Sequence, residues 1–291
     1  EPLIAYHNPL FEKENPISKD RIVSDEYLME LELIMGQASN LAEQAGFDGV
    51  DIKCCHRYLN SELLSAYTRK GEYGGSFQNR TRFLLNSMKN AINATSDNFI
   101  VTTRINIYDG FSYPYGFGVN EQDGLKPDLT EAKALLSIIH NELKVDLINI
   151  TIGNPYVNPH VNRPADVVHY ECEENPLFGV SRMVDCIKEV KKDLPNMIII
   201  GSGLSYLRQF SANLAAGAIL ENCYDIAGFG REAFAYPEFA NDILMKGEMD
   251  SKKCCITCSK CTELMRMGCV TGCVIRDNTY LPIYQKALKN I

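Results

Sequence analysis

The chain has 291 residues, 45% of them hydrophobic and 23% charged, with a formal net charge of −8. That length buries a full core and the composition excludes a disordered or fibrous chain, while the acidic balance argues against nucleic acid, which needs a concentrated basic face. No apolar run approaches the roughly 20 residues that span a bilayer and the first residues lack the parts of a secretion leader, so a cytoplasmic protein without a membrane partner is expected.

Helix-spaced Leu28, Leu31, Ile34, Ala38, Leu41 and Ala45 predict a helix ending at Gly46, with a strand at Val50-Asp51-Ile52. The stretch from Arg80 to about Ala94, with Leu84, Met88 and Ala91 on one face, predicts a helix before the strand Phe99-Ile100-Val101-Thr102-Thr103. Asp128 and Glu131 read as a capping pair for a helix carrying Leu135, Ile138 and Ile139, and Leu147-Ile148-Asn149-Ile150 follows as a strand. Val180, Met183, Val184, Ile187 and Val190 precede Pro195 and a strand at Met197-Ile198-Ile199-Ile200; a shorter helix with Leu214 and Ala218 leads to Asp225-Ile226-Ala227. Five helix-then-strand units imply an α/β chain with a parallel sheet and crossover helices. An open doubly wound sheet and a (β/α)8 barrel both satisfy the pattern, since each places ligands at strand C-terminal ends. No GxGxxG or P-loop pattern follows any strand, and the barrel is the expected architecture.

Eleven cysteines in a chain without a leader read as reduced thiols or metal ligands rather than a disulfide framework. Six of them, Cys254, Cys255, Cys258, Cys261, Cys269 and Cys273, fall within twenty residues. Of the histidines, His140 lies on a predicted helix as a surface or capping residue, and His7 and His169 have no evident partner.

The stretches Gly46-Phe47-Asp48-Gly49-Val50-Asp51-Ile52, His56-Arg57-Tyr58-Leu59, Glu72-Tyr73-Gly74-Gly75-Ser76 and Asn79-Arg80 stand in fixed order before Arg104, Gly201-Ser202-Gly203-Leu204 and Gly230-Arg231. Together they resemble the Old Yellow Enzyme family of NADH:flavin oxidoreductases, in particular its 2,4-dienoyl-CoA reductase-like iron–sulfur branch, from about residue 24 to the end. The resemblance implies a TIM-type (β/α)8 barrel with only strands 4–8 represented here. Residues 1–250 would form the barrel portion and residues 251–291 a cysteine-rich segment with a C-terminal helix. An upstream segment or a second chain would complete the barrel, and a homo-oligomer is expected.

The same resemblance implies FMN, with Gly201, Ser202, Gly203, Gly230 and Arg231 at its phosphate. Bare backbone N–H groups at helix N-termini suit an anion, and the alternative is that these are only tight βα turns. Arg104 would face the flavin pyrimidine, or else form a structural ion pair at a strand end. Tyr58 matches the family's proton donor, and Lys53 with His56 the pair that holds the substrate carbonyl oxygen, Lys being a departure from the family's residue. The branch's additional histidine falls near Pro155, with His160 or Asn154 as substitutes. Cys255, Cys258, Cys261 and Cys273 resemble the branch's ligands for a 4Fe-4S cluster, with one middle spacing a residue shorter.

Zinc is the alternative ion. Cys254-x3-Cys258-x2-Cys261 also has the spacing of a radical S-adenosylmethionine motif, though that motif follows a first strand. Cys54, Cys55, Cys254 and Cys269 are candidates for mere packing. The implied activity is NAD(P)H-driven reduction of FMN, hydride transfer to the β-carbon of an α,β-unsaturated carbonyl, and protonation of the α-carbon by Tyr58. An electron-transfer component without ene reduction and a catalytically empty zinc-bound relative are the other readings. The loop from Tyr108 to Asp128 would cover the site or merely link elements.

Overall fold

A computed structural model describes residues 2–13, 15–166 and 174–289; His169 lies outside them. The N-terminal segment carries one helical turn, α1 (Pro9–Glu12), and docks Ala5, Tyr6 and Val23 on a small core with Leu28, Leu63 and Phe83. His7 pairs with Glu12 there, at 2.9 Å. Ser24 opens α2 (Asp25–Gln44): its hydroxyl accepts the Tyr27 N–H at 3.1 Å, and Asp25 and Glu26 lie at the positive end of the helix dipole. Gly46, at φ 86°, closes it, with its N–H on the Glu43 carbonyl and that of Phe47 on the Ala42 carbonyl.

Strands β1 (Gly49–Asp51), β2 (Ile100–Thr102), β3 (Arg104–Asn106), β4 (Leu147–Thr151), β5 (Ile198–Ser202) and β6 (Ile226–Gly228) are all parallel. β1 pairs with β2, and β3, β4, β5 and β6 pair in chain order. β2 and β3 are halves of one strand interrupted at Thr103, whose hydroxyl donates to the Ile52 carbonyl at 2.6 Å. A bridge from Cys54 to Ile105 carries the pairing past the interruption. The sheet therefore has the five successive strand positions that the periodicity predicts, in the partial barrel order.

Between the strands run α3 (Leu59–Leu64), α4 (Phe77–Ala94), α5 (Thr130–Asn141), α6 (Pro159–Asn162), α7 (Pro176–Asp193) and α8 (Ser211–Leu220). After β6 come α9 (Glu232–Ala235), α10 (Phe239–Lys246), α11 (Lys260–Arg266) and α12 (Tyr280–Leu288). Val101, Ile105, Ile148, Ile150 and Ile199 bury one sheet face against Leu84, Met88, Leu135, Ile139, Ile187 and Val190 of α4, α5 and α7. Alternation puts Ile100, Ile198 and Ile226 on the other face, where they stay 46%, 43% and 45% exposed. Higher on that face stand Arg104, the first residue of β3, and then Thr151 and Ser202 at the C-terminal ends of β4 and β5.

One local expectation fails. Asp128 accepts the Thr130 N–H at 3.0 Å, but Glu131 closes no capping box. Its carboxylate reaches Arg80 at 2.5 Å and the Tyr67 hydroxyl at 3.1 Å. Arg80 is buried, and a buried cation demands a counter-charge more strongly than a helix end demands a second cap. Arg80 also donates to the Leu64 and Gly75 carbonyls, so this part of the motif is a scaffold joint. The Tyr108–Asp128 loop is tied by Asp109, whose carboxylate accepts the Phe117 N–H and the Asn106 amide, and it packs Phe111 against Phe11. No helix among the described residues is long and apolar enough to cross a membrane.

Candidate active site

The strand C-terminal ends converge on a cavity of about 260 Å³. Arg104 enters it from β3, Ser202 and Gly203 from the end of β5, Gly230 and Arg231 from beyond β6, His56 from beyond β1, and Arg163 from the residue after α6. Among the described residues no carboxylate lines it. Nη1 of Arg231 and Nε of Arg104 are buried without a hydrogen-bond partner among the described residues. A buried donor left unpaired is worth roughly 1–3 kcal/mol of lost stability, so these two guanidiniums are placed to receive acceptor atoms. At Gly230 an added Cβ would meet open space, which leaves the backbone approachable. Orphaned guanidinium donors beside bare backbone fit the phosphate and carbonyl oxygens of FMN.

Gly203 has φ 97°, and a Cβ there would collide with the Met183 sulfur. Gly203→Ala is expected to lower stability by about 1–3 kcal/mol, read as a lower denaturant midpoint with an unchanged slope. An unshifted midpoint would contradict the left-handed turn. Gly201, grouped with the cofactor residues by sequence, does not line the cavity; its missing side chain makes room for the Tyr224 ring on the sheet's other side.

His56 and Arg57 are consecutive non-glycine residues at φ 59° and φ 54°, a strained turn of the kind that collects at functional sites. Burial, then the charges of Arg104, Lys53 and Arg163, push the His56 pKa down to about 4, so its ring is neutral at pH 7. The unfolded chain therefore takes up a proton that the folded one refuses, and His56 makes stability rise with pH between about 4 and 6.5. Asp109, raised to about 7 by burial, acts oppositely: its contribution is full below about pH 4 and is lost as pH climbs to 7. Removing one slope should expose the other. Asp109→Asn is expected to leave stability rising with pH across that window, measured by denaturant midpoints; a flat profile in the variant would contradict the buried His56.

The strained turn also separates residues that sequence placed together. Lys53 and Tyr58 do not line the arginine cavity; both border a neighbouring groove between α2 and the open edge of β1. There the Lys53 ammonium lies 3.5 Å from the centre of the Tyr58 ring. The Tyr58 hydroxyl stands near Tyr156, whose pKa is raised by burial first and then by that neighbouring phenol. Neither substitute for the branch histidine stands here: His160 faces Glu174 at 3.8 Å, and the Asn154 side chain accepts the Tyr156 N–H. Sequence reasoning missed Tyr156 and Arg163. The Asn-Pro-Tyr run after a strand end was the available signal for the first.

Cys255, Cys258, Cys261 and Cys273 line one small enclosed void together with Arg231, Phe234 and Arg276. Thr257 and Ser259, at φ 57° and φ 61°, wrap the intervening loop around it. Backbone N–H groups of Thr257 and Arg276 donate to the sulfurs of Cys255 and Cys273, and both oxygens of the buried Glu232 accept the Cys255 N–H. These are the supports that ligand thiolates require, so the donor set fits a thiolate-bound metal group. Cys254 is elsewhere: it is buried with Tyr236 and Met249, its thiol donating to the Asp250 carbonyl. Cys269 packs beside Leu264 and Val274. The radical-type spacing thus loses its first ligand. Among the described residues no three His, Cys, Asp or Glu side chains converge as a site for a single ion. Arg231, Phe234 and Cys261 line both cavities, forming the wall between them.

An anion-receptive cavity at the ends of parallel strands, backed by a thiol-lined void, defines a cofactor-binding (β/α)-barrel protein. The sequence model of the NADH:flavin oxidoreductase / NADH oxidase family matches residues 4–247, and the chain belongs to that family. Dimethylamine dehydrogenase of Hyphomicrobium sp. is 25% identical, over 82% of this chain and 29% of its own length. Cinnamate reductase of Clostridium sporogenes is 25% identical, over 88% of this chain and 36% of its own. The chain thus spans about a third of these relatives. Among solved structures, 2-naphthoyl-CoA reductase in complex with 2-naphthoyl-CoA superposes with a TM-score of 0.73 at 20% identity, covering 94% of this chain and 37% of that one. The Old Yellow Enzyme homologue of Zymomonas mobilis gives 0.56 at 18%, over 82% and 59%. The barrel fold expected from sequence is therefore shown.

Proposed function

We propose that this chain carries the flavin- and cluster-binding part of an FMN-dependent oxidoreductase that uses NAD(P)H to reduce an activated C=C bond. The observation that carries the reading is the shared wall of Arg231, Phe234 and Cys261, which sets the anion-receptive cavity directly against the four thiols. When bound, FMN supplies hydride transfer from NAD(P)H to the acceptor's β-carbon, and a 4Fe-4S cluster supplies single-electron steps. Arg231, with the Ser202, Gly203 and Gly230 backbone, would hold the phosphate, and Arg104 the pyrimidine. Neutral His56 would hydrogen-bond the acceptor's carbonyl oxygen. Tyr58 would protonate the α-carbon, its ring held by Lys53 with Tyr156 nearby. In this reading Lys53 positions the donor instead of touching the carbonyl. Cys255, Cys258, Cys261 and Cys273 surround a void and do not converge on a point; zinc, at about 2.3 Å from each sulfur, needs the tighter arrangement, which favours the cluster.

Further βα units are needed to close the barrel, from the same polypeptide or from a second chain. β1 and β6 are both open edges among the described residues, and each exposed inner-face isoleucine forgoes roughly 1.5–3 kcal/mol of burial. Leu220, Leu244 and Met245 are exposed and offer apolar surface for the same closure or for self-association. All ten described cysteines are free thiols, which suits a reducing cytoplasm.

An anaerobic visible spectrum with iron, sulfide and zinc analysis tests the cofactors. Flavin bands with about four irons per chain are expected; zinc without iron or flavin would overturn the redox reading. The position of Lys53 and Tyr58 outside the arginine cavity favours a second reading, electron transfer without ene reduction. NAD(P)H oxidation with artificial acceptors and none with enones would establish it.

A further inference from the structure

We propose that Arg57 is a positioning residue: clamped between Phe11 of the N-terminal segment and Glu62 of α3, it imposes the turn that carries His56 into the arginine cavity. The proposal deepens the ene-reductase reading and rests on the place which that reading gives His56 at the acceptor's carbonyl oxygen.

Two consecutive non-glycine residues at φ 59° and φ 54° persist only where their surroundings over-determine them. His56 adds nothing to that hold. Among the described residues no hydrogen bond fixes its ring, and the charges acting on it, those of Arg104, Lys53 and Arg163, are all cationic. Arg57 points the other way, toward acids. Its Nη2 donates to Glu62 at 3.1 Å, with the two side chains only 13% and 6% exposed, and its charge also reaches the buried Asp109. Phe11 closes the other side, its ring centre 3.3 Å from the guanidinium carbon. This clamp permits little movement, since displacing Arg57 would strand the Glu62 charge in the interior.

The clamp is itself anchored. The second Glu62 oxygen accepts the Ala5 N–H at 3.1 Å, and the Ala5 carbonyl accepts Arg69 at 2.6 Å. The other terminal nitrogen of Arg69 donates to the Val23 carbonyl and to Asp25. The Tyr6 and Ser65 hydroxyls share a hydrogen bond at 2.9 Å. The N-terminal segment, the turn after β1 and α3 are thus tied into one unit, and His56 is the part of it that enters the cavity.

The test is Arg57→Gly combined with Glu62→Gln, which removes the ion pair without leaving a buried charge alone and places at 57 the residue that takes a positive φ most readily. The readout is the His56 titration in the holoprotein, followed by NMR of labelled histidine and assigned by its loss in His56→Gln. Burial, then the charges of Arg104, Lys53 and Arg163, hold that pKa at about 4, and Arg57 is not among them. A rise in the double variant therefore reports displacement of the ring and not loss of a neighbouring charge; a midpoint above about 5 is expected. Alkene reduction should fall about 10- to 100-fold with flavin reduction by NAD(P)H unchanged. Arg57→Lys keeps the charge and loses the planar fork, so it should fall between the two. Phe11→Leu keeps the ion pair and is the milder probe, with a smaller rise expected. A His56 midpoint that stays at about 4 in the double variant would overturn the proposal whatever the alkene rates. If the midpoint rises and the unmutated holoprotein reduces no alkene, the ene-reductase reading fails and the clamp stands.

Discussion

Cys261→Ala in the holoprotein is expected to drop iron from about four per chain to less than one and to remove the cluster's broad visible absorbance. The residue lies in the first turn of α11 and lines both the thiol void and the arginine cavity. Its carbonyl accepts the Thr271 hydroxyl at 2.6 Å, which holds that turn against the following loop. With three thiols left, the group loses a ligand at the wall facing the flavin site, so electron exchange between the two should vanish with the iron. Cys254→Ala and Cys269→Ala are the controls, because their thiols lie in apolar clusters outside the void. Both should keep a full complement of iron. Iron loss in Cys254→Ala as complete as in Cys261→Ala would show that the ligand set has been misassigned.

What sequence made legible and what it hid divide along physical lines. The five strands announce themselves because each is a short β-branched run after a helical-period segment. The capping of α2 by Ser24 and Gly46 is equally local, a matter of neighbours a few residues apart. Gly203 and Arg231 follow β5 and β6, and a strand end fixes where the next residues go; Arg104, expected just past its strand, instead begins β3, because the strand resumes after Thr103. The separation of Tyr58 from His56 was not readable. It depends on two successive left-handed residues, His56 and Arg57, neither of them glycine, and no side-chain pattern signals that turn. Glu131 looked like a cap because its rival partner, Arg80, is distant in sequence and adjacent only in the fold. Tyr156 and Arg163 were hidden for the same reason: their roles come from approach to Tyr58 and Thr262 across the sheet.

Tyr58→Phe is expected to lower the rate of alkene reduction by about 10²–10⁴-fold while leaving reduction of the flavin by NAD(P)H unchanged, because the lost group acts only when the acceptor's α-carbon takes a proton. The ring itself should stay in place, since Phe keeps the face over which the Lys53 ammonium sits. Tyr156→Phe removes a phenol near the donor and not the donor, so a smaller loss is expected, at most roughly 10-fold, the scale of one neutral hydrogen bond. The two effects should not add. Once Tyr58 is Phe, the Tyr156 hydroxyl has no donor to position, and the double variant should match Tyr58→Phe alone. Stopped-flow traces separate the half-reactions: flavin bleaching by NAD(P)H reports the first, and re-oxidation by the alkene the second. Unimpaired re-oxidation in Tyr58→Phe would remove Tyr58 from the mechanism, and an additive double variant would show that Tyr156 acts on the acceptor by itself.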